Sequence, residues 1–511
     1  SCYEAMGQRD AAAKEYERAL SQSPDDPATL RQAAAFFVRA AASQLAEPHL
    51  RRILSAKDSR PHDVAWARRT LASLLRGRGY RDLKEALRLV EANLAAGGTY
   101  EDEREKAAIL SAFPDRAGRR EAAELLERLV GRSAVSSGDR ILLAQLYLRD
   151  GDLSRAAKHL RIVASAEPDQ PLHLALYVDV LLQRNECEEA AVWLERLQRL
   201  APAAITTHTL QATLACQRGE AEKAIAVLKG ILSAPAARPG ERDQRPPQIA
   251  AFLEKRASET TRSPHPDQAP RLLAEAERIL RQEAAKHPDT TLTLAEFLAR
   301  QVRHEEALAL VQKVWTTSPS QSVANALASV ASNGELKEPQ RKLAEKILQT
   351  AIEVRGRETP LLLVRADLAI AGAQLAEAET AYREILRRDK DQVIAINNLA
   401  VLLALQPGRG AEALSLAERA VEIAGPQGVL LDSRAMAYLG LNRAREALAD
   451  LENSLADAIR PTRYFHQAQA YRLLGKDHAA TAALAEARAQ GLRRDLLHPL
   501  ERPIYDRLQG N

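Results

Sequence analysis

The chain has 511 residues, of which 46% are hydrophobic, only 4% aromatic and 27% charged, the composition of a soluble, folded protein packed mainly with Ala, Leu, Val and Ile, all but the branched pair strong helix formers. Its 72 Lys+Arg stand against 68 Asp+Glu for a net charge of +4, too even a balance to give the long-range field that a polyanion partner would need. Three cysteines, Cys2, Cys187 and Cys216, form no CxxC pair, so neither a zinc site nor a disulfide framework is expected, and no apolar run reaches the roughly 18 residues of a membrane span.

Arginine outnumbers lysine 57 to 15, a bias that suggests a GC-rich, bacterial genome. The first elements are read from Tyr3, Gly7, Ala12, Tyr16, Ala19, Leu20 and Pro24, whose spacing is that of a turn followed by one amphipathic helix and a proline stop. A front helix that should precede them is missing, so the chain is expected to start in the middle of a unit. Between Pro61 and Val135 helix pairs continue with less regular spacing, Arg76-Gly77-Arg78-Gly79 lengthening one turn and the helix from Glu101 to Ala112 being short.

From Gly138 to Ala236 residue types return at a period of 34: Gly151, Asn185 and Gly219; Ala156, Ala190 and Ala224; Leu160, Leu194 and Leu228; Pro168 and Pro202. Each register has a physical role. The first set falls where the chain leaves one helix for an antiparallel one, a place for a left-handed residue. The alanines sit in the next helix where two backbones cross closely, and the leucines, one turn on, share their face and fill the core. The prolines stop that helix, lacking an amide hydrogen and restricting the residue before them.

The stretch Leu143, Ala144, Tyr147, Gly151, Ala156, Leu160, Val163, Pro168 resembles the tetratricopeptide repeat, with its large residue, small partner, tyrosine, turn glycine, alanine, leucine and final proline in order. Further copies carry Tyr438, Asn442, Ala447 and Leu451, and Tyr471, Gly475, Ala480, Leu484 and Ala487; weaker ones carry Ala307, Val311 and Pro319, then Ala378 and Tyr382, then Ala413, Ala417 and Ala420. The resemblance implies an all-α fold, a right-handed superhelical solenoid of about 14 antiparallel helix pairs. The register is less regular from 333 to 360, around Asn333-Gly334 and Pro339.

The prolines of 235–247 and of Ser263-Pro264-His265-Pro266 interrupt regular stacking. They either divide the chain into an N-terminal solenoid at 1–234, an interruption with one short helix at 235–268, a C-terminal solenoid at 269–491 and a tail at 492–511, or form a surface loop inserted in a continuous superhelix. In the tail, Leu496, Leu497, Leu500, Ile504, Tyr505 and Leu508 fit a short amphipathic helix, as expected of a cap over the last apolar face.

Catalytic signatures fail one by one. Gly77-x-Gly79 lacks a third glycine, His304-Glu305-Glu306 lacks the second histidine of a zinc protease helix, and Asp150-Gly151-Asp152 lacks the later calcium ligands. No GxxxxGK or GxSxG occurs, so neither catalytic residue, metal nor cofactor is expected. Arginine pairs at 51–52, 68–69, 119–120, 387–388 and 493–494 have acidic neighbours, which favours salt-bridged solvated faces over nucleic acid.

In the resembled family partners bind the concave face lined by the first helix of each pair, which implies protein or peptide partners here. On the C-terminal units that side would present Asn397, Val401, Asp432, Met436, Phe465, Gln469 and Arg472, with exposed Phe465 and Met436 as anchors for an extended or helical peptide. The family's carboxylate clamp is not expected, because Leu363 and Asp367 before Asn398, and Val429 and Ser433 after it, stand where cations would be needed.

An interaction scaffold is therefore the leading function. The start in mid-unit motivates a second, a substrate-recruiting region of a kinase or glycosyltransferase whose catalytic domain preceded Ser1; an RNA-binding array is a third. The sparse cysteines suggest a cytoplasmic default, with a periplasmic or envelope location open because a leader could have preceded Ser1.

Overall fold

The computed structural model describes residues 2–56, 58–132, 136–233, 243–261 and 264–509. Among them are 29 α-helices and three short 3-10 turns, with no strand. Consecutive helices pair antiparallel, giving the all-α solenoid of about 14 units that the spacing implies. Pairing persists through the irregular stretch, as Pro61–Leu75 with Tyr80–Ala95 and Tyr100–Ala112 with Arg116–Gly131. No helix of the described residues is long and apolar enough to cross a membrane.

The chain forms two compact units, Ser1–Asp152 with Val421–Gly428, and Leu153–Ala420 with Val429–Asn511. The core of the first is built from Leu30, Phe36, Phe37, Leu50, Ile53, Leu71, Val90 and Ile109, all buried. In the second, one hydrophobic core runs from Ala212 to Leu368. The expected boundary at 235–268 falls inside that core: the helices Arg245–Thr260 and Ala269–Lys286 add Leu253, Leu272 and Ile279 to the same cluster as Leu228 and Leu298. Among the described residues the prolines therefore do not separate two cores. Residues 235–242 and Ser263, on which part of that boundary rests, lie outside the described residues, as do the side chains of Cys2 and Leu496.

The periodic residues do the work their spacing assigns. Ala156, Ala190 and Ala224 have no exposed surface, and Leu160, Leu194 and Leu228 are buried beside them. The helices Leu153–Ala166 and Cys187–Leu200 end two residues before Pro168 and Pro202. Gly151, Asn185 and Gly219 have φ of 78°, 61° and 81°, the left-handed geometry that reverses the chain. Weaker copies behave alike, with Ala307, Val311, Ala378, Tyr382, Ala413, Ala417 and Ala420 all buried. Cys216 is a buried packing residue whose thiol burial pushes up to about 11.

The arginine pairs are tied to carboxylates. Arg51 bonds Glu47 and Glu85, Arg52 bonds Asp25, Arg69 lies 3.2 Å from Asp102, and Arg388, Arg493 and Arg494 bond Glu384, Asp495 and Asp506. Arg383 of the second helix Leu375–Arg388 and Arg409, just before the second helix Gly410–Ala424, each reach both Glu379 and Glu412 at 2.5–3.0 Å. Exposed pairs of this kind contribute little each, about 0–1 kcal/mol, but they tie successive pairs together on the solvent side.

Three turns depart from the glycine-or-asparagine rule, at Ala41, Val302 and Ala373. Val302, at the place equivalent to Asn185, holds φ 61° with its side chain 55% exposed. A β-branched residue is strained there, by roughly 1–2 kcal/mol. Val302→Gly should raise stability by about 1 kcal/mol despite the added flexibility of the unfolded chain, seen as a higher urea midpoint; an unchanged or lower midpoint would contradict the strain.

Candidate functional site

Three successive first helices, Val393–Ala404, Gly428–Gly440 and Pro461–Leu473, present equivalent positions side by side in the second unit. The fifth residues are Asn397, Asp432 and Phe465, the ninth Val401, Met436 and Gln469, and the twelfth Ala404, Leu439 and Arg472. Residues three apart share a helix face, so Met436 and Gln469 of the ninth row join Ala404, Leu439 and Arg472 of the twelfth in a floor. After this stack the chain makes a 3-10 turn at Arg494–Leu496 and a tail helix at Arg502–Gln509.

The floor and the tail enclose a groove of about 450 Å³. Its apolar surface comes from Met436, Leu439 and Leu473 on the first helices and from Ile504 and Leu508 on the tail, with Gln469, Arg472 and Arg507 among its polar lining. Gln469 Nε2 is a buried donor with no partner among the described residues. Arg472 donates to the exposed Asp477 at 3.0 Å.

Beneath one end lies a buried charge cluster. His466 donates from Nδ1 to Asp432 Oδ1 at 2.6 Å and from Nε2 to Glu501 Oε1 at 2.8 Å, an assignment that places protons on both ring nitrogens. Burial opposes that charge, but the Asp432 and Glu501 carboxylates outweigh it and raise His466 to about 10. The carboxylates meet opposite edges of the ring instead of converging on one point, and among the described residues no group of three or more His, Cys, Asp or Glu could hold a metal.

Of the seven residues expected on this face, Met436, Gln469 and Arg472 come together in the groove, Met436 buried against the core and not exposed as expected. Asn397 donates to the neighbouring Asn398 at 3.2 Å, and half-buried Val401 packs on the core. Asp432 is taken up by His466. Phe465 is not exposed: it is fully buried, with its ring 5.8 Å from Tyr505 of the tail in an edge-to-face contact and Leu492 and Leu497 in the same cluster. The end of the stack leaves an apolar face that must be covered, and the tail covers it through Phe465.

His466, Glu501, Leu439 and Leu473 escaped the sequence reading. Leu439 follows from the twelfth-residue row once Arg472 is recognised. Glu501 carries no such signal, because the tail has left the repeat period and nothing in its spacing points back to His466.

On the preceding first helix, Thr359–Ala371, the ninth residue is Asp367, 3.5 Å from the Tyr382 hydroxyl. Burial raises its carboxyl to about 6, the Tyr382 hydrogen bond opposing the rise.

The family model described as tetratricopeptide repeat matches residues 141–205 and 363–429, the second range taking in Val393–Ala404, the first of the three groove-forming first helices. The helix pairs of those two stretches carry the repeat that the family model describes. No curated protein matches its sequence. Among solved structures, a thermophilic TPR protein of Thermus thermophilus is 19% identical over 34% of this chain and 92% of its own, with a TM-score of 0.29. The Naa15/Naa10 assembly bound to HypK-THB is 14% identical over 95% and 78%, with a TM-score of 0.33. The Cut9-Hcn1 hetero-tetramer of the APC/C is 14% identical over 96% and 98%, with a TM-score of 0.37.

Two outcomes are expected. Phe465→Ala should act on stability, costing about 3–5 kcal/mol locally and speeding hydrogen exchange across 461–473; unaltered exchange would return Phe465 to the surface. Asp367, held as an acid more firmly in the folded state than at its ordinary value of 3.8, adds stability at low pH that falls as pH rises through 3.8 and is gone above about 6. Asp367→Asn should remove this slope and stabilise the protein at pH 7 by on the order of 1 kcal/mol, read as urea midpoints across pH 4–7.

Proposed function

We propose that the chain is a protein-interaction scaffold and that the groove between its last three first helices and the tail receives a peptide segment of a partner protein. The observation that carries this reading is the mismatch within the groove: apolar walls from Met436, Leu439, Leu473, Ile504 and Leu508 surround a buried donor, Gln469 Nε2, that finds no acceptor among the described residues. A buried donor left unsatisfied costs about 1–3 kcal/mol, which a backbone carbonyl of a bound segment would recover.

The charges select among segments. Arg507 and Arg472, the latter shared with the exposed Asp477, line the groove, and the carboxylate there, Glu501, is bonded to His466. The segment that fits therefore places an aliphatic side chain in the groove and an acidic one beside it. A polyanion is a poorer candidate, since arginines 51, 52, 69, 388, 493 and 494 already pair with carboxylates.

Selection of displayed random peptides on the whole chain tests the reading. Peptides pairing an aliphatic residue with Asp or Glu should be enriched, and Leu473→Glu, at a position half exposed, should weaken them at least about tenfold, or ~1.4 kcal/mol. Recovery of no such class, or equal binding by Leu473→Glu, would defeat it.

A further inference from the structure

We infer that the tail segment 492–509 is the second wall of this peptide groove and that His466 is the positioning residue that pins it there, so that partner binding depends on a docked tail. The inference rests on the groove reading above and goes further, assigning the site a movable wall and a pin.

The tail helix has eight residues, too few to persist alone in water. Its place must come from contacts. Tyr505 is buried on Phe465, Ile504 and Leu508 pack half-buried in the same cluster, and Glu501, the residue before the helix, is only 5% exposed. Glu501 also starts the helix, its carbonyl accepting from the Ile504 and Tyr505 amides at 2.9 Å each. One residue thus joins the helix start to the pin. The groove has the same dependence: Glu501, Ile504, Arg507 and Leu508 are four of its lining residues, and undocking would open that side to solvent.

The charges around the ring come from every element packed there. Arg463, on the same helix, donates to the Ser454 and Ala458 carbonyls at 2.5 and 2.6 Å and feels Asp432 and Asp457. Asp432 comes from the preceding first helix. Glu501 comes from the tail, where His498 and Arg502 flank it, and Arg502 lies 3.6 Å from Glu335. The ring bonds two carboxylates, Asp432 and Glu501, and Arg463 adds a second cation near Asp432. Losing one member of such a buried set strands its partner. A neutral ring has one N–H for two carboxylates, so proton loss would break one of the two bonds.

The sign with pH follows. His466 is raised from 6.5 to about 10 on folding, so its hold on the tail is fully present below pH 6.5 and is lost as pH rises through about 10. At neutral pH the ring stays charged, and the pin is fixed unless a residue of the set is changed.

The test uses the whole chain with Glu501→Gln, and His466→Gln as a second variant, each checked for unchanged helical circular dichroism. Trypsin cleavage after Arg494 and Arg507, followed by mass spectrometry, reports the tail without any partner. Both variants should be cut at least tenfold faster than the parent and should bind a peptide selected on the parent at least tenfold more weakly. Cleavage within twofold of the parent would overturn the pin, and a freed tail with unchanged peptide binding would overturn the wall. If the parent selects no peptide, the groove reading and the wall fall together, while cleavage still judges the pin separately.

Discussion

The close crossing of paired helices at alanine is the constraint on which the rest of this structure depends. Ala156, Ala190 and Ala224 are without exposed surface, and a larger side chain at any of them would force two backbones apart. Because each pair buries its apolar face chiefly against its neighbours, an error at one crossing passes to the next as misalignment. The groove shows what correct alignment achieves. Its floor consists of equivalent residues from three helices, and it exists because the helices repeat at nearly constant spacing.

That regularity explains why most of the fold is legible in the sequence. Alanine at a crossing, a left-handed turn residue and a proline stop are local requirements, each confined to a few residues, and their recurrence at 34 exposes the unit. Val302 shows how the signal fades, because the turn keeps its geometry after the residue type that favours it has gone. The proline-rich stretch misled for a different reason. Proline reports on the chain's local direction, whereas a boundary between cores is set by which apolar faces meet, and Leu253 and Leu272 join the cluster on either side.

The candidate site was legible only in part. Row position identifies Met436, Gln469 and Arg472, because it depends on the helix alone. It gives no warning that Phe465 is covered, since the cover is Tyr505, in a segment with no repeat spacing. Nor does it reveal that His466 and Asp432 act together with Glu501. Non-periodic residues at the end of an array define the last binding surface as much as the periodic ones do, and that contribution emerges only when the tail is placed.

The clasp formed by Arg383, Arg409, Glu379 and Glu412 has a mechanical consequence. The two second helices are joined on the solvent side through ion pairs at 2.5–3.0 Å, while on the buried side Ala378, Ala381, Ala413 and Leu414 share one core. Small flexing then works mostly against the ions, whose attraction mobile salt weakens. The stiffness of this stretch is therefore adjustable from the solvent, with its core left unchanged.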